Sequence, residues 1–477
     1  MTSSESEAPS NDRPSDSGLG RTLKDAVRGD HHADYTEGPI GRAVLLLAVP
    51  MVLETIMESI FAVVDVFFVS KLGPAAVATV GLTESMMAII YTVAVGLSIG
   101  VTAMVARRTG EKDGDGAAES ATQAILLGLA VAVVIGALGV FYSRQLLALM
   151  GADDAVLENG IGYTRIMVGA NGTVVLLFLI NAVFRGAGDA AVAMRVLWIA
   201  NGINIVLDPM LIFGLGPFPE MGIEGAAVAT NCGRGAAVLT QLYLLARGTK
   251  RLRIERRHIR ILPERMRRLL ALSGTATFQF FISTASWIGL IRILASFGNE
   301  VLAGYTIGMR IVLFALFPSW GISNAAATMV GQALGAGKPE RAEKAVWMTA
   351  FYNFLFLGVT SVLYLIFAPT LVGLFTDDPE PYRWALLTLR TVASGFVFYA
   401  FGMVLTQAFN GAGDTWTPTY LNLFCFWMFE LPVAYVLAYN LELGPWGVML
   451  AITLAFSLLA VVSAAMFRRG RWKHKAI

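Results

Sequence analysis

The sequence is short of the residues that most enzymes and secreted domains depend on. Cysteine occurs twice in 477 residues, as Cys232 and Cys425, and histidine four times. Two thiols, each inside an apolar run, do not make a disulfide framework, so both are expected to be buried and free. His31, His32, His258 and His474 fall in the amino-terminal tail, a basic middle segment and the carboxyl terminus, and no metal-ligand cluster is spelled out. There is no G-x-S-x-G nucleophile elbow and no evident nucleophile–base pair, so an enzyme is not expected. Gly331 to Pro339 faintly resembles a phosphate loop but is out of register, with Gln332 at the first glycine position and Pro339 at the last. Without an ATP site, any transport would have to draw on an ion gradient. Charge is scarce as well, at 15% of residues, against about 25% in an ordinary soluble domain.

What the chain has instead is apolar length. It is 56% hydrophobic, with a mean hydropathy of +0.64. Runs long enough to cross a bilayer as a helix, about 20 residues each, are expected at 43–70, 76–105, 117–142, 156–183, 191–214, 223–246, 267–297, 301–333, 341–368, 382–409, 416–439 and 446–467. They are too long and continuous for the two-residue alternation of a barrel strand. The fold class is therefore an all-α integral membrane protein of about twelve transmembrane helices. Residues 1–40 are of another kind: rich in Ser, Asp, Glu, Pro and Gly and without an apolar core, they are expected to be a disordered, solvated tail rather than a signal peptide.

The chain also repeats itself. FRGAGDA at Phe184 to Ala190 returns as FNGAGDT at Phe409 to Thr415, 225 positions later. The same offset pairs Gly73 with Gly298, Ala78 with Ala303, Ser98 with Ser323, Met104 with Met329, Val105 with Val330 and Gly110 with Gly335. The chain is thus divided into an amino-terminal lobe, 41–246, a basic linker, 247–266, a carboxyl-terminal lobe, 267–468, and a basic tail, 469–477. Six spans per lobe is an even number, so the lobes share an orientation and are related by a pseudo-two-fold axis along the membrane normal. Lys and Arg gather at the linker, the carboxyl terminus and the loops holding Arg107, Arg108, Lys112, Lys338, Arg341 and Lys344. That side is expected to be cytoplasmic, with both termini on it, in a cytoplasmic (inner) membrane. The basic linker could also touch anionic lipid.

Charges inside the spans carry the functional expectation. Glu54, Glu58 and Asp65 are spaced by four and seven, and Asn201, Asn204 and Asp208 by three and four, so each trio shares a helix face. A carboxylate near the bilayer centre costs at least about 2.5–3.5 kcal/mol on insertion scales, which is tolerable on a polar cavity wall or when the group is protonated. Such oxygens suit a proton or a hard cation, and Na⁺ at Asp65, Asn204 and Asp208 is the metal ion considered. Glu54, Glu58 and Asn201 are candidates for the substrate cavity, and Pro50 and Pro209 for hinges. Tyr163, Asn181 and Thr230 are single polar residues in apolar spans. In the other lobe, Glu430 is expected to pair with one of Arg292, Arg310 and Arg390.

With the two G-A-G-D segments, MVGQALGAGKPERAEKA, AVVDVFFVSKLG and NIVLDPMLIFG, the chain resembles the multidrug and toxic compound extrusion (MATE) family over roughly residues 41–468. The resemblance implies two six-helix lobes around a central cleft, alternating access, and export of organic, often cationic compounds in exchange for H⁺ or Na⁺. It implies a cation site at Asp65, Asn204, Asp208, Thr230, Tyr163 and Asn181, with a helix bend at Pro50. The seventh and tenth spans lack the acids of NorM-like members, which favours the DinF-like branch. It further implies a monomer that handles small organic molecules, contacts membrane lipid, binds no nucleic acid and needs no cofactor beyond the coupling ion. The nearest alternative is a lipid-linked precursor or polysaccharide flippase of the same superfamily.

Overall fold

The computed structural model describes residues 18–29, 34–475 and 477. His31 and His32 lie outside them. Among the described residues there is no strand, as expected for a chain whose backbone polar groups must find partners without water. A short helix, α1 (Leu19–Arg28), precedes the amino-terminal lobe: α2 (Ile40–Ser70), α3 (Pro74–Gly110), α4 (Gly114–Leu149), α5 (Asp154–Gly169), α6 (Gly172–Gly186), α7 (Ala190–Phe213) and α8 (Ile223–Arg247). The second lobe repeats it: α9 (Pro263–Ala295), α10 (Asn299–Gly335), α11 (Pro339–Gly373), α12 (Pro379–Ser394), α13 (Phe396–Gly411), α14 (Trp416–Asn422), α15 (Leu431–Tyr435) and α16 (Pro445–Arg468). α14 and α15 belong to one span, Trp416–Asn440, with π-helical backbone at Leu423–Glu430 and Val436–Asn440. The fourth span of each lobe is broken, as α5/α6 and as α12/α13, the latter bent by 58° at Gly395. Ten helices are long and apolar enough to cross a membrane among the described residues, eleven with the bent pair. The twelfth is α8, whose apolarity is diluted by Thr230, Asn231, Arg234 and Gln241.

Helix boundaries follow local chemistry. Asp113 and Asp153 cap α4 and α5 by accepting from the backbone N–H groups of Gly116 (2.8 Å) and Val156 (2.9 Å). Proline opens α3, α9, α11, α12 and α16, where its missing N–H costs nothing. Pro50 and Pro209 sit inside continuous helices, α2 and α7.

The pseudo-two-fold axis is visible where the lobes touch. A Cβ on Gly110 would come within 2.0 Å of the Gln332 carbonyl oxygen, and one on Gly335 within 2.2 Å of the Arg107 carbonyl oxygen. These are the same contact, since Arg107 and Gln332 are also 225 positions apart. α3 and α10 can cross this closely only because both positions are glycine. The crossing lies at the end with the basic loops. Two chain segments strap the lobes together there. Tyr35 donates its hydroxyl to the Gly188 carbonyl (3.0 Å), while Arg341 donates to the carbonyls of Tyr35 (3.0 Å), Glu37 (2.7 Å) and Gly38 (2.9 Å). At the carboxyl terminus, Lys475 pairs with Asp414 (3.1 Å), while Arg107 donates to the Lys475 carbonyl (2.7 Å) and Arg108 to that of Ile477 (3.2 Å). The basic linker is docked on α4, with Arg260 and Arg265 on Glu119 at 2.8 and 2.9 Å.

Two expectations change. The tail is not without structure up to residue 40: Leu19–Arg28 is helical and buries Ala26 in a cluster with Val44 and Leu47 of α2. Cys232 is exposed on α8, while Cys425 is buried, and both are free. An apolar run can face lipid as readily as the core, so its hydropathy alone does not bury a thiol.

Candidate functional site

Two polar sites lie inside the apolar lobes. The first lines a cavity of about 350 Å³ between them, walled by α2, α3 and α6 on one side and by α10 and α13 on the other. On the amino-terminal wall Glu54, 8% exposed, accepts from Arg185 Nη1 (2.8 Å) and Asn181 Nδ2 (3.0 Å). Gln241 of α8 donates to Asn181 Oδ1. Glu58, one turn along α2, also faces the cavity, with Asn201 of α7 beside it. The opposite wall is uncharged: Gln407 donates to Asn324 (2.9 Å), Asn410 donates to Gln407 (3.1 Å), and Phe317 and Trp320 supply apolar surface.

The second site lies within the amino-terminal lobe. Asn204 Nδ2 donates to Thr230 Oγ1 (3.0 Å) and stands 3.4 Å from Asp208 Oδ1. Asp208 is wholly buried, and among the described residues Asp208 Oδ2 and Asn204 Oδ1 have no hydrogen-bond partner. Two unfilled oxygen acceptors in a buried pocket suit a proton or a hard cation. Asp65 of α2 is half-buried and within electrostatic reach of Asp208, Glu84 and Arg234. Arg234 donates to the Tyr91 hydroxyl (3.1 Å) and lies over the Phe61 ring, 5.6 Å from its centroid. Glu58 lies within reach of both Glu54 and Arg234, so it stands between the two sites.

The structure therefore gathers Asp65, Asn204, Asp208 and Thr230 but not every residue expected with them. Asn181 belongs to the Glu54 cluster of the central cavity. Tyr163, 2% exposed, packs with Val69, Val80, Met167 and Ile212, within reach of the Asp65 charge. Among the described residues, Glu430 does not pair with an arginine. Its partner is Ser286 Oγ at 3.1 Å, and Arg292, Arg310 and Arg390 are exposed. In those spans the long cations reach outward while the carboxylate points into the lobe. Sequence reasoning missed Arg185, Glu84, Arg234 and Gln241. Arg185 sat in plain view as one of the two residues that differ between FRGAGDA and FNGAGDT.

The MatE family model matches residues 50–210 and 276–436, one match in each lobe. The chain belongs to the MatE family. It is 25% identical over 442 residues to the probable multidrug resistance protein NorM of Thermotoga maritima, spanning 92% of this chain and 94% of that one. It is 27% identical over 444 residues to the FAD transporter of Shewanella oneidensis, spanning 92% and 97%. Solved structures agree. One, described as an outward-facing multidrug resistance MATE transporter, superposes with a TM-score of 0.86 at 27% identity, covering 93% of this chain and 98% of that one. Another, a superfamily member from Pyrococcus furiosus described as having reversed binding-pocket polarity, gives 0.86 at 26% identity and the same coverage. This MatE chain is thus a membrane transporter of two six-helix lobes, similar to multidrug efflux proteins.

Proposed function

We propose that this chain is a secondary active antiporter that exports amphiphilic organic compounds, cations among them, in exchange for H⁺ or Na⁺ by alternating access. The observation that carries the reading is the pocket of unfilled oxygens at Asn204 and Asp208, beside Asp65 and separate from the central cavity. A cation bound there neutralises carboxylate charge and removes its demand for water. α2 carries Asp65 and also Glu54 and Glu58, so a change at the ion pocket reaches the drug cavity along one helix. Repacking of α2 near Pro50 would then shrink the cavity. The basic loops support a cytoplasmic side for the strapped end, and on that reading the present state is outward-facing. At about 150 mV, one charge is worth about 3.5 kcal/mol, from about 2.3 kcal/mol per 100 mV. That sustains a few-hundred-fold gradient of an uncharged substrate per cation, at roughly tenfold per 1.4 kcal/mol, whereas one-for-one exchange with a monovalent organic cation is electroneutral and draws only on the ion's concentration gradient.

Dye efflux from proteoliposomes, with pH and Na⁺ gradients imposed separately, tests this. One gradient should drive efflux and Asp208→Asn should reduce it at least tenfold. Efflux that ignores both gradients rejects the coupling.

A further inference from the structure

Helix α1 takes no part in the transport sites, yet its faces are sharply divided. Thr22 and Ala26 are buried against the protein. Arg42 of α2 pairs with Asp25 at 3.1 Å, and Arg195 of α7 donates to the Arg28 carbonyl at 3.3 Å. Gly29, with φ of 82°, ends the helix. Leu19, Leu23 and Val27 recur every fourth residue and remain 65%, 39% and 41% exposed. Arg21, Lys24 and Arg28 are exposed too, centred roughly 130° around the axis from that apolar stripe at 100° per residue. The helix therefore shows three sides: one to the protein, one apolar and uncovered, one basic.

Its depth says what meets the apolar side. Arg195, which holds the end of α1, is one turn before Trp198 and Ile199 on α7, 42% and 59% exposed. Three residues of helix rise about 4.5 Å, so α1 lies where the outward apolar surface of α7 begins. An exposed tryptophan at that level is the mark of a membrane–water boundary. An amphipathic helix at this boundary, apolar on one side and basic on another, fits an anionic phospholipid leaflet: the stripe enters the acyl boundary and the cations meet phosphate.

We propose that α1 is an interfacial helix that seats Leu19, Leu23 and Val27 in an anionic leaflet and pairs Arg21, Lys24 and Arg28 with its headgroups. Because α1 is tied to α2 and α7, the two helices that carry Glu54, Asp65, Asn204 and Asp208, leaflet composition bears on the lobe that holds the ion pocket.

The test uses the full chain with Cys232→Ser, carrying an environment-sensitive fluorophore on Leu23→Cys or Lys24→Cys. Each protein is reconstituted into nanodiscs of phosphatidylcholine alone or mixed with phosphatidylglycerol, with nitroxide lipids as shallow quenchers. The label at 23 should shift to the blue and be quenched several-fold more than the label at 24, with quenching rising as phosphatidylglycerol is added. Replacing Arg21 and Arg28 with Gln in the Leu23→Cys protein should cut that rise at least fivefold, since each cation near an anionic surface contributes about a fivefold factor. Equal quenching at 23 and 24 overturns the proposal. So does quenching that is independent of phosphatidylglycerol, which would mean a neutral apolar seat. A blue shift that persists in detergent without quenching in lipid also overturns it, because protein would then be covering the stripe.

Discussion

Set at the same offset, the two lobes share a backbone and differ in charge. α3 and α10 match end for end, and the left-handed glycines Gly73 and Gly298, with φ of 100° and 110°, open both. Along the first span of each lobe, however, Glu54 becomes Gln279, Glu58 becomes Ser283 and Asp65 becomes Leu290. Arg185 becomes Asn410 in the repeated G-A-G-D segment. The packing positions were kept and the ionisable ones were not. In the proposed mechanism the two lobes would rock as equal bodies while only one of them reads an ion. Glu430 is the exception, a carboxyl in the quieter lobe held by a serine rather than by an arginine.

The largest effect should come from making the lobes alike at Asp65. Asp65→Asn is expected to lower gradient-driven dye efflux at least tenfold in a protein that still inserts and folds, whereas Leu290→Asn should leave coupling unchanged. Wild-type efflux by the Asp65 variant would remove the asymmetry as an explanation. Next comes the Glu54–Arg185 pair, with side chains only 10% and 14% exposed. Arg185→Asn alone strands a buried carboxylate, which costs roughly 3–5 kcal/mol and should lower the melting temperature in detergent. Adding Glu54→Gln installs the neutral residues that stand at the equivalent positions of the other lobe, Gln279 and Asn410, and should restore most of the loss. A double variant as unstable as the single would show that the pair is not the source.

The straps extend the comparison to the cytoplasmic end proposed above. Arg341 holds three carbonyls of Tyr35–Gly38, whereas Arg107 holds the one carbonyl of Lys475. Arg341→Ala should therefore raise the fraction of molecules open at that end several-fold more than Arg107→Ala. Spin-label distances between positions 112 and 337, related by the same 225-residue offset, would report it. Equal shifts would mean that the α3–α10 crossing, not the straps, keeps the end shut.

Much of this was legible in the sequence because the signals were local or repeated. Span length, the G-A-G-D repeat and the loop cations need no tertiary knowledge, and Asn204 with Asp208 lie on one face of one helix. What escaped depended on pairing between helices. Nothing in the α2 sequence says that Glu54 meets Arg185, 131 residues away, or that Asn181 joins that cluster and not the Asp208 pocket. Glu430 was misjudged because an arginine in an apolar span can point its head outward. α1 escaped because ten residues, too few to span, were averaged into a polar tail.

The smallest effect tests how the amino-terminal strap is shaped. Burial pushes the Asp34 carboxyl up. Hydrogen bonds from the Thr36 hydroxyl (2.6 Å) and N–H (2.8 Å), with Lys112 and Lys338 nearby, more than offset it, so the group lies below its usual range. A carboxylate depressed in the folded state stabilises it at neutral pH, and the contribution fades as pH falls through that low value. Asp34→Asn should therefore loosen the strap slightly at neutral pH, by no more than about 1 kcal/mol for so exposed a group. Only once pH has fallen below that depressed value, itself under the usual aspartate value of about 3.9, is Asp34 uncharged as well, and there the two proteins should converge. Hydrogen exchange over residues 34–38 would follow both limbs. A variant indistinguishable from the parent at neutral pH would leave Arg341, and not the Asp34 turn, as what holds this segment in place.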